Sequence, residues 1–141
     1  MIRNVVAVVV GLVAGMAVNM ALVTLDVALY PMPEGVDFSD AEGVAAYMGT
    51  LPLAALLIVL AAHLSQAFVG AWVAARISSN QPMSVPMNVA MIVAGLTLFG
   101  GIVNMKSISM PTWMMVEFLL YMPLAYAAGR MEINRRSALG F

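Results

Sequence analysis

Apolar residues come in four long runs along this chain, separated by short polar breaks. The runs extend from Asn4 to Tyr30, Leu51 to Ile77, Val85 to Met105 and Thr112 to Ile133. About 20 helical residues cross the hydrocarbon of a bilayer, so each run is long enough to span one. None shows the apolar–polar alternation of a barrel strand, and lipid offers no water to an open backbone, so the pattern predicts helices. Pro31 and Pro33 stop the first run, and Pro52 sits at the start of the second. Between them, Ser39 to Glu42 fits a capping box, with Ser39 accepting a backbone N–H and Glu42 reaching back. Val44, Tyr47 and Met48 follow on one helical face, which predicts a short amphipathic helix over about 40–48. It reads as an ordered connector rather than a lid. The first run is too long for the roughly 7–15-residue core of a signal peptide and reads as an uncleaved span. The expected fold is all-α: a four-transmembrane-helix bundle with a short amphipathic helix in the first outer loop, residues 1–141 forming a single membrane domain.

Composition agrees with this pattern. The chain is 63% hydrophobic and 9% charged, against roughly 25% charged residues in soluble domains. So few charges cannot cover a globule, and the lipid bilayer is the expected surrounding. A net charge of −1 gives no reason to expect nucleic acid as a partner. The absence of cysteine removes disulfides, thiolate metal sites and thiol nucleophiles. With four spans, Arg3, Arg76, Arg130, Arg135 and Arg136 fall on one side, and Lys106 alone falls on the other. That bias predicts cytoplasmic N- and C-termini. The loop from Pro31 to Thr50 then lies outside, carrying Glu34, Asp37, Asp40 and Glu42 and no basic residue.

Candidate chemistry lies on the helix faces. Gly11, Gly15, Asn19, Leu22 and Asp26 share an arc of about 80° on the first helix at about 100° per residue. Gly11 and Gly15 form a GxxxG pair that lets another helix come close. His63, Gln66, Ala67, Gly70 and Ala74 share a face of the second helix, whereas Ser65 points away and can bond to a carbonyl one turn back. Glu117, Tyr121, Leu124 and Ala128 line up on the fourth. Gly11, Gly15, Gly70 and Ala74 are therefore the expected helix-packing positions. Asp26, His63, Gln66, Asn104, Glu117, Asn19 and Tyr121 are the expected lining of a polar cleft. His63 lies about 16 Å along its helix at about 1.5 Å per residue, while Asp26, Asn104, Lys106 and Glu117 sit near the outer ends. Asp26 or Glu117 is thus expected to reach His63 only through Gln66, Asn19 or a bridging water. Without a carboxylate His63 stays neutral, and with one it can hold and release a proton. An ionisable group inside a membrane marks a functional site by default. The structural account of the same residues is interhelical hydrogen bonding, worth about 0.6 kcal/mol each, with Lys106 pairing Glu117 or Asp26 near the interface.

No catalytic set appears. His63 and Ser65 point about 200° apart on a helix and cannot form a dyad. GxSxG, HExxH and Gly-rich phosphate loops are missing, so the chain reads as non-enzymatic and without a cofactor. The 14 methionines include Met16 and Met20, Met83, Met87 and Met91, and Met110 and Met114, each at i, i+4. Thioethers select Cu(I), which makes Met83, Met87 and Met91 weak metal candidates, but methionine is equally a flexible apolar filler.

The stretches "LYPMPEGVD", "YMGTLPLAALLIVLAAHLSQAFVGAWVAARI" and "LLYMPLAYAAGRM" together resemble a family of small, uncharacterised four-helix bacterial inner-membrane proteins with a YPxPxG…LPxxA…AHxxxAFVG pattern. The segment from His63 through Ala67, Phe68, Val69 and Gly70 is the most distinctive part, and Ala71 stands where the pattern has a second glycine. The resemblance implies the topology and a bacterial inner (plasma) membrane and points to His63; it implies no activity. The expected role is a non-enzymatic integral inner-membrane protein, self-assembling or an accessory subunit, with an outward-facing polar cleft. The alternative is a small-solute or ion channel or transporter, for protons or Cu(I), using the same column. The partners are then lipid and a second copy or another membrane protein.

Overall fold

The computed structural model describes residues 2–31, 33–35, 40–79, 84–104 and 112–140. Five α-helices follow one another: α1 (Ile2–Leu29), α2 (Ala41–Thr50), α3 (Leu53–Ile77), α4 (Ser84–Asn104) and α5 (Val116–Ala138), with a 3-10 turn at Thr112–Met115 before α5. There is no strand among the described residues, so the fold is all-α. Three helices, α1, α3 and α4, are long and apolar enough to cross a membrane. At 23 residues α5 is of similar length, but it carries Glu117, Arg130 and Glu132 within its apolar stretch.

The boundaries differ from the sequence pattern in instructive places. The fourth run was expected to be helical over about 112–133, yet α5 starts at Val116 and continues to Ala138. Glu132 pairs with Arg135 and Arg136, three and four residues on, and these pairs carry the helix past the end of the apolar run. The connector helix starts after Asp40, whose carboxylate accepts from the Glu42 N–H at 3.1 Å and caps it. Ser39, the expected cap, lies outside the described residues, as do Met83 and Lys106. Helix α2 joins the end of α1 where the Tyr47 hydroxyl donates to the Tyr30 carbonyl.

Side-chain contacts give the topology. Gly11 meets Gly70 and Ala74, and Gly15 meets Gln66, so α1 and α3 are antiparallel. Gly70 faces Val93 of α4. Gly101 faces Phe118, and Gly129 faces Met87, so α4 and α5 are antiparallel too. The bundle runs up, down, up and down, and α3 touches all three other long helices.

The interior is built from very small residues. Ala71, Ala75, Ala90, Ala94, Ala125 and Ala128 form one fully closed cluster between α3, α4 and α5. Ala7, Ala74, Val89 and Val93 form a second between α1, α3 and α4. The large apolar side chains are outside: Val5, Val9, Val13, Met16, Leu57, Phe99, Ile102 and Leu119 are all exposed. A water-soluble protein would bury these and expose others. This inversion is what hydrocarbon surroundings select, because helices there hold together by close contact rather than by hiding apolar surface.

Closest contact is at the α1–α3 crossing. A Cβ on Gly11 would lie 2.5 Å from the Gly70 carbonyl oxygen and 2.6 Å from the Ala74 Cβ, and a Cβ on Gly15 would lie 2.5 Å from the Gln66 carbonyl oxygen. Backbone cannot swing aside as a flexible side chain can. Gly11→Ala and Gly15→Ala should therefore each destabilise the protein in detergent by about 1–3 kcal/mol through overpacking. Gly100→Ala, where an added methyl meets nothing within 4 Å, should be neutral or slightly stabilising through helix propensity. Thermal unfolding of the three variants beside the parent measures this. Equal loss at all three positions would remove the crossing as the cause.

Candidate functional site

The polar side chains of the bundle fall into three groups. The first is a pair. His63 Nδ1 lies 2.7 Å from Glu117 Oε2, a direct contact between α3 and α5. The Glu117 side chain is almost completely enclosed, while the imidazole retains 26% of its surface. This corrects the expectation that a carboxylate reaches His63 only through Gln66, Asn19 or a water. In fact Glu117 is the second residue of α5, and the 3-10 turn occupies the chain before it. The start of α5 is therefore set well down the length of α3, opposite its eleventh residue. Tyr121 is buried one turn further along α5 and packs edge-to-face on Phe118, with ring centroids 5.9 Å apart. Phe118 in turn fills the notch left by Gly101 of α4. These contacts fix the α5 backbone that carries Glu117.

Asp26 stands apart. It is buried near the end of α1, and its Oδ1 has no hydrogen-bond partner among the described residues. Asn19 and Gln66 are half-buried on the α1–α3 face. The Gln66 backbone and Cγ pack against Gly15. Asn104 closes α4, and its side chain is outside the described set. Ser65 donates to the Ala62 carbonyl at 3.0 Å and takes no part in the pair. Of the methionine candidates, Met87 presses its sulfur against Gly129, and Met91 packs on the alanine cluster. No group of three or more His, Asp or Glu side chains that can hold a metal ion occurs among the described residues.

The third group lies at the opposite end of the bundle. Glu132 is fully enclosed and accepts from Arg135 Nε at 2.8 Å and from Arg136 Nε at 2.8 Å. Arg136 is also buried. Its Nη2 donates to the carbonyls of Ala75 at 2.5 Å and Arg76 at 3.2 Å, and its Nη1 donates to Ser79 at 2.9 Å. These carbonyls belong to the last turn of α3 and the residues just after it, where no intrahelical donor remains. Arg136 thus caps α3 from α5, and its positive charge complements the negative end of the α3 dipole. The N-terminus of α1 completes the arrangement. Arg3 Nε donates to the Ile77 carbonyl at 2.7 Å, and Asn4 Oδ1 accepts from the Ser79 N–H at 2.9 Å. Counting arginines by side registered Arg135 and Arg136 as topology markers only. The Glu132, Arg135, Arg136 spacing was the available signal that they also form a buried network.

The arrangement offers two chemistries. At one end a partly open imidazole is hydrogen-bonded to an enclosed carboxylate. At the other a buried guanidinium is held by a carboxylate and by carbonyls at the end of α3. No protein-family model, curated protein or solved structure matches the chain.

Arg136→Met should cost about 3–5 kcal/mol, because it takes one donor from the buried Glu132 carboxylate and the guanidinium from the carbonyls of Ala75, Arg76 and Ser79 at once. Combining it with Glu132→Gln should cost less than the sum of the two single changes, since the neutral amide no longer leaves a buried charge uncompensated. Denaturation of the four proteins in detergent completes the cycle. Strict additivity would mean that the two side chains do not act as a unit.

Proposed function

We propose that this chain is a four-span integral protein of a bacterial inner membrane, with both termini in the cytoplasm, and that it acts without covalent chemistry. In this reading it assembles with copies of itself or serves as an accessory subunit of another membrane protein. It presents an outward-facing cleft centred on His63 and Glu117. The observation that carries the reading is the His63–Glu117 contact at 2.7 Å. Taking a carboxylate out of water is costly, and a protein that needs only helix packing has cheaper means in Gly11, Gly15 and Gly70. The pattern described for the small bacterial four-helix proteins agrees with the topology.

Orientation rests on the arginines. Arg3, Arg76, Arg130, Arg135 and Arg136 gather at one end of the bundle, and such clusters stay on the cytoplasmic side. Arg76 also stacks on Trp72, with its guanidinium 5.6 Å from the ring centroid, a pairing suited to a membrane–water interface. On this orientation the His63–Glu117 end faces outward. The half of the bundle toward the arginines supports assembly over conduction. Alanine at Ala71, Ala75, Ala90, Ala94, Ala125 and Ala128 stands between the His63–Glu117 pair and the Glu132–Arg136 network.

Two measurements test the reading. Reporter fusions at Phe141 and Gly43 should report opposite sides of the membrane, with the C-terminal fusion cytoplasmic; the reverse result would invert the cleft. Proton flux into vesicles reconstituted with the protein should match that of empty vesicles, and photobleaching of a labelled chain should count two or more copies per particle. A single copy with proton flux that Glu117→Gln abolishes would overturn the assembly reading in favour of a conductor.

A further inference from the structure

One carboxylate serves three guanidiniums at the arginine end of the bundle. Glu132 accepts from Arg136 at 2.8 Å and from Arg135 at 2.8 and 2.6 Å, and Arg76 Nη1 stands 3.8 Å from its Oε2. Arg136 is enclosed, and its other donors go to neutral carbonyls. Three positive charges against one negative leave the cluster with positive charge uncancelled. The excess lies toward the surface, on Arg76 and Arg135, whose side chains keep 49% and 38% of their area open. Both approach the same Glu132 oxygen, so these two guanidiniums are neighbours. Like charges held together repel, and an anion set between them relieves the repulsion. Arg76 is the one with donors to give. Its contact with Glu132 is beyond hydrogen-bond reach, and no other described residue bonds to its guanidinium. It is nonetheless held in place by Trp72, over whose ring it lies, and Trp72 packs on the alanine cluster. A guanidinium stacked on one face, with its fork open, suits a phosphate, which it meets with two parallel bonds. An apolar path leads from the same place toward the middle of the bundle. Trp72 and Phe68 lie one and two turns before Arg76 on α3, both partly buried on the alanine cluster. On α5, Met131 is exposed one turn before Arg135.

We propose that Arg76 and Arg135 hold the phosphodiester of an anionic phospholipid, in the leaflet at the arginine end, with an acyl chain lying along Trp72 and Phe68 and past Met131. A soluble phosphate offers the same anion to the guanidiniums. The lipid is selected by the apolar path beside them, which a free phosphate leaves bare, and basic sites between helices at a membrane surface bind headgroups in this way. The inference rests on the reading of the chain as a membrane protein, and on neither its assembly, its cleft nor which leaflet faces the cytoplasm. Two other arginines share this end but stand off the site. Arg3 spends its Nε on the Ile77 carbonyl. Arg130 is exposed five residues before Arg135, and at about 100° per residue it points about 140° away from it.

Native mass spectrometry of the full chain in a mild neutral detergent counts the lipids it retains. Phosphatidylglycerol should bind about tenfold more tightly than phosphatidylcholine with the same acyl chains, the scale of one charge-assisted hydrogen bond. The choline of the second lipid cancels the charge of its phosphate. Arg76→Gln should lose most of this preference, and Arg76→Lys, which keeps the charge without the fork, should keep part of it. Arg130→Gln removes an equal charge from the same end and should leave the preference unchanged. Thermal melting of each variant reports that the fold is intact, and Arg76→Lys keeps the comparison usable if the glutamine variant unfolds. Inorganic phosphate at the concentration of the lipid should not displace phosphatidylglycerol. Equal retention of the two lipids by the parent overturns the proposal. So does an equal loss in Arg76→Gln and Arg130→Gln, which assigns retention to diffuse charge, and so does displacement by inorganic phosphate, which assigns the site to a soluble anion. Resistance of the chain to carbonate extraction from membranes tests the membrane reading by itself. A chain that resists extraction yet shows no lipid preference fails this proposal alone.

Discussion

Where the surroundings are as apolar as the side chains, turning a side chain inward gains little, and helices stay together only if they come close enough for backbone and small groups to touch. The whole bundle follows from that constraint. At Gly11 and Gly15 the α1 backbone lies against the carbonyls of Gly70 and Gln66, with no room for a methyl group between them. Alanine fills the α3–α4–α5 centre for the same reason. The valine, leucine and phenylalanine side chains that would form the core of a soluble protein cover the outside instead.

Small residues supply contact but little discrimination, since one alanine face fits many others. The polar groups supply the discrimination. Arg136 can meet the carbonyls of Ala75, Arg76 and Ser79 only when α5 has one height and one rotation relative to α3. His63 and Glu117 impose the same condition at the other end. Two polar fastenings, one at each end of a shared interface, set the register of α5 on α3 where packing alone would let it slide.

The helices and their inward faces could be read from the chain because lipid imposes simple rules: a minimum length, small residues where helices cross, and polar groups turned away from hydrocarbon. Helix faces that put Gly11 and Gly15 together, or Glu117 and Tyr121 together, follow from a period of about 3.6 residues. Relative height does not follow from any period. It depends on where each helix starts, and the 3-10 turn over Thr112–Met115 lowered Glu117 to the level of His63 without any signal in the apolar pattern. The buried role of Glu132 and Arg136 was hidden for a related reason. Charged residues at the end of an apolar run ordinarily face water, and only the three-dimensional arrangement reveals that α3 ends against them.

The capping of α3 from α5 has a consequence for how the protein is made. At the end of α3 the Ile77 carbonyl receives Arg3, and the Ser79 N–H just beyond donates to Asn4, both from a segment synthesised earlier, but Arg136 comes more than fifty residues later. During translation the first three long helices can be inserted and the α1–α3 crossing closed while the end of α3 still lacks its guanidinium. Completion of the bundle is thereby tied to delivery of the last helix. A chain interrupted before α5 leaves the end of α3 without its guanidinium and the face of Ala71, Ala75, Ala90 and Ala94 without the cover of Ala125 and Ala128.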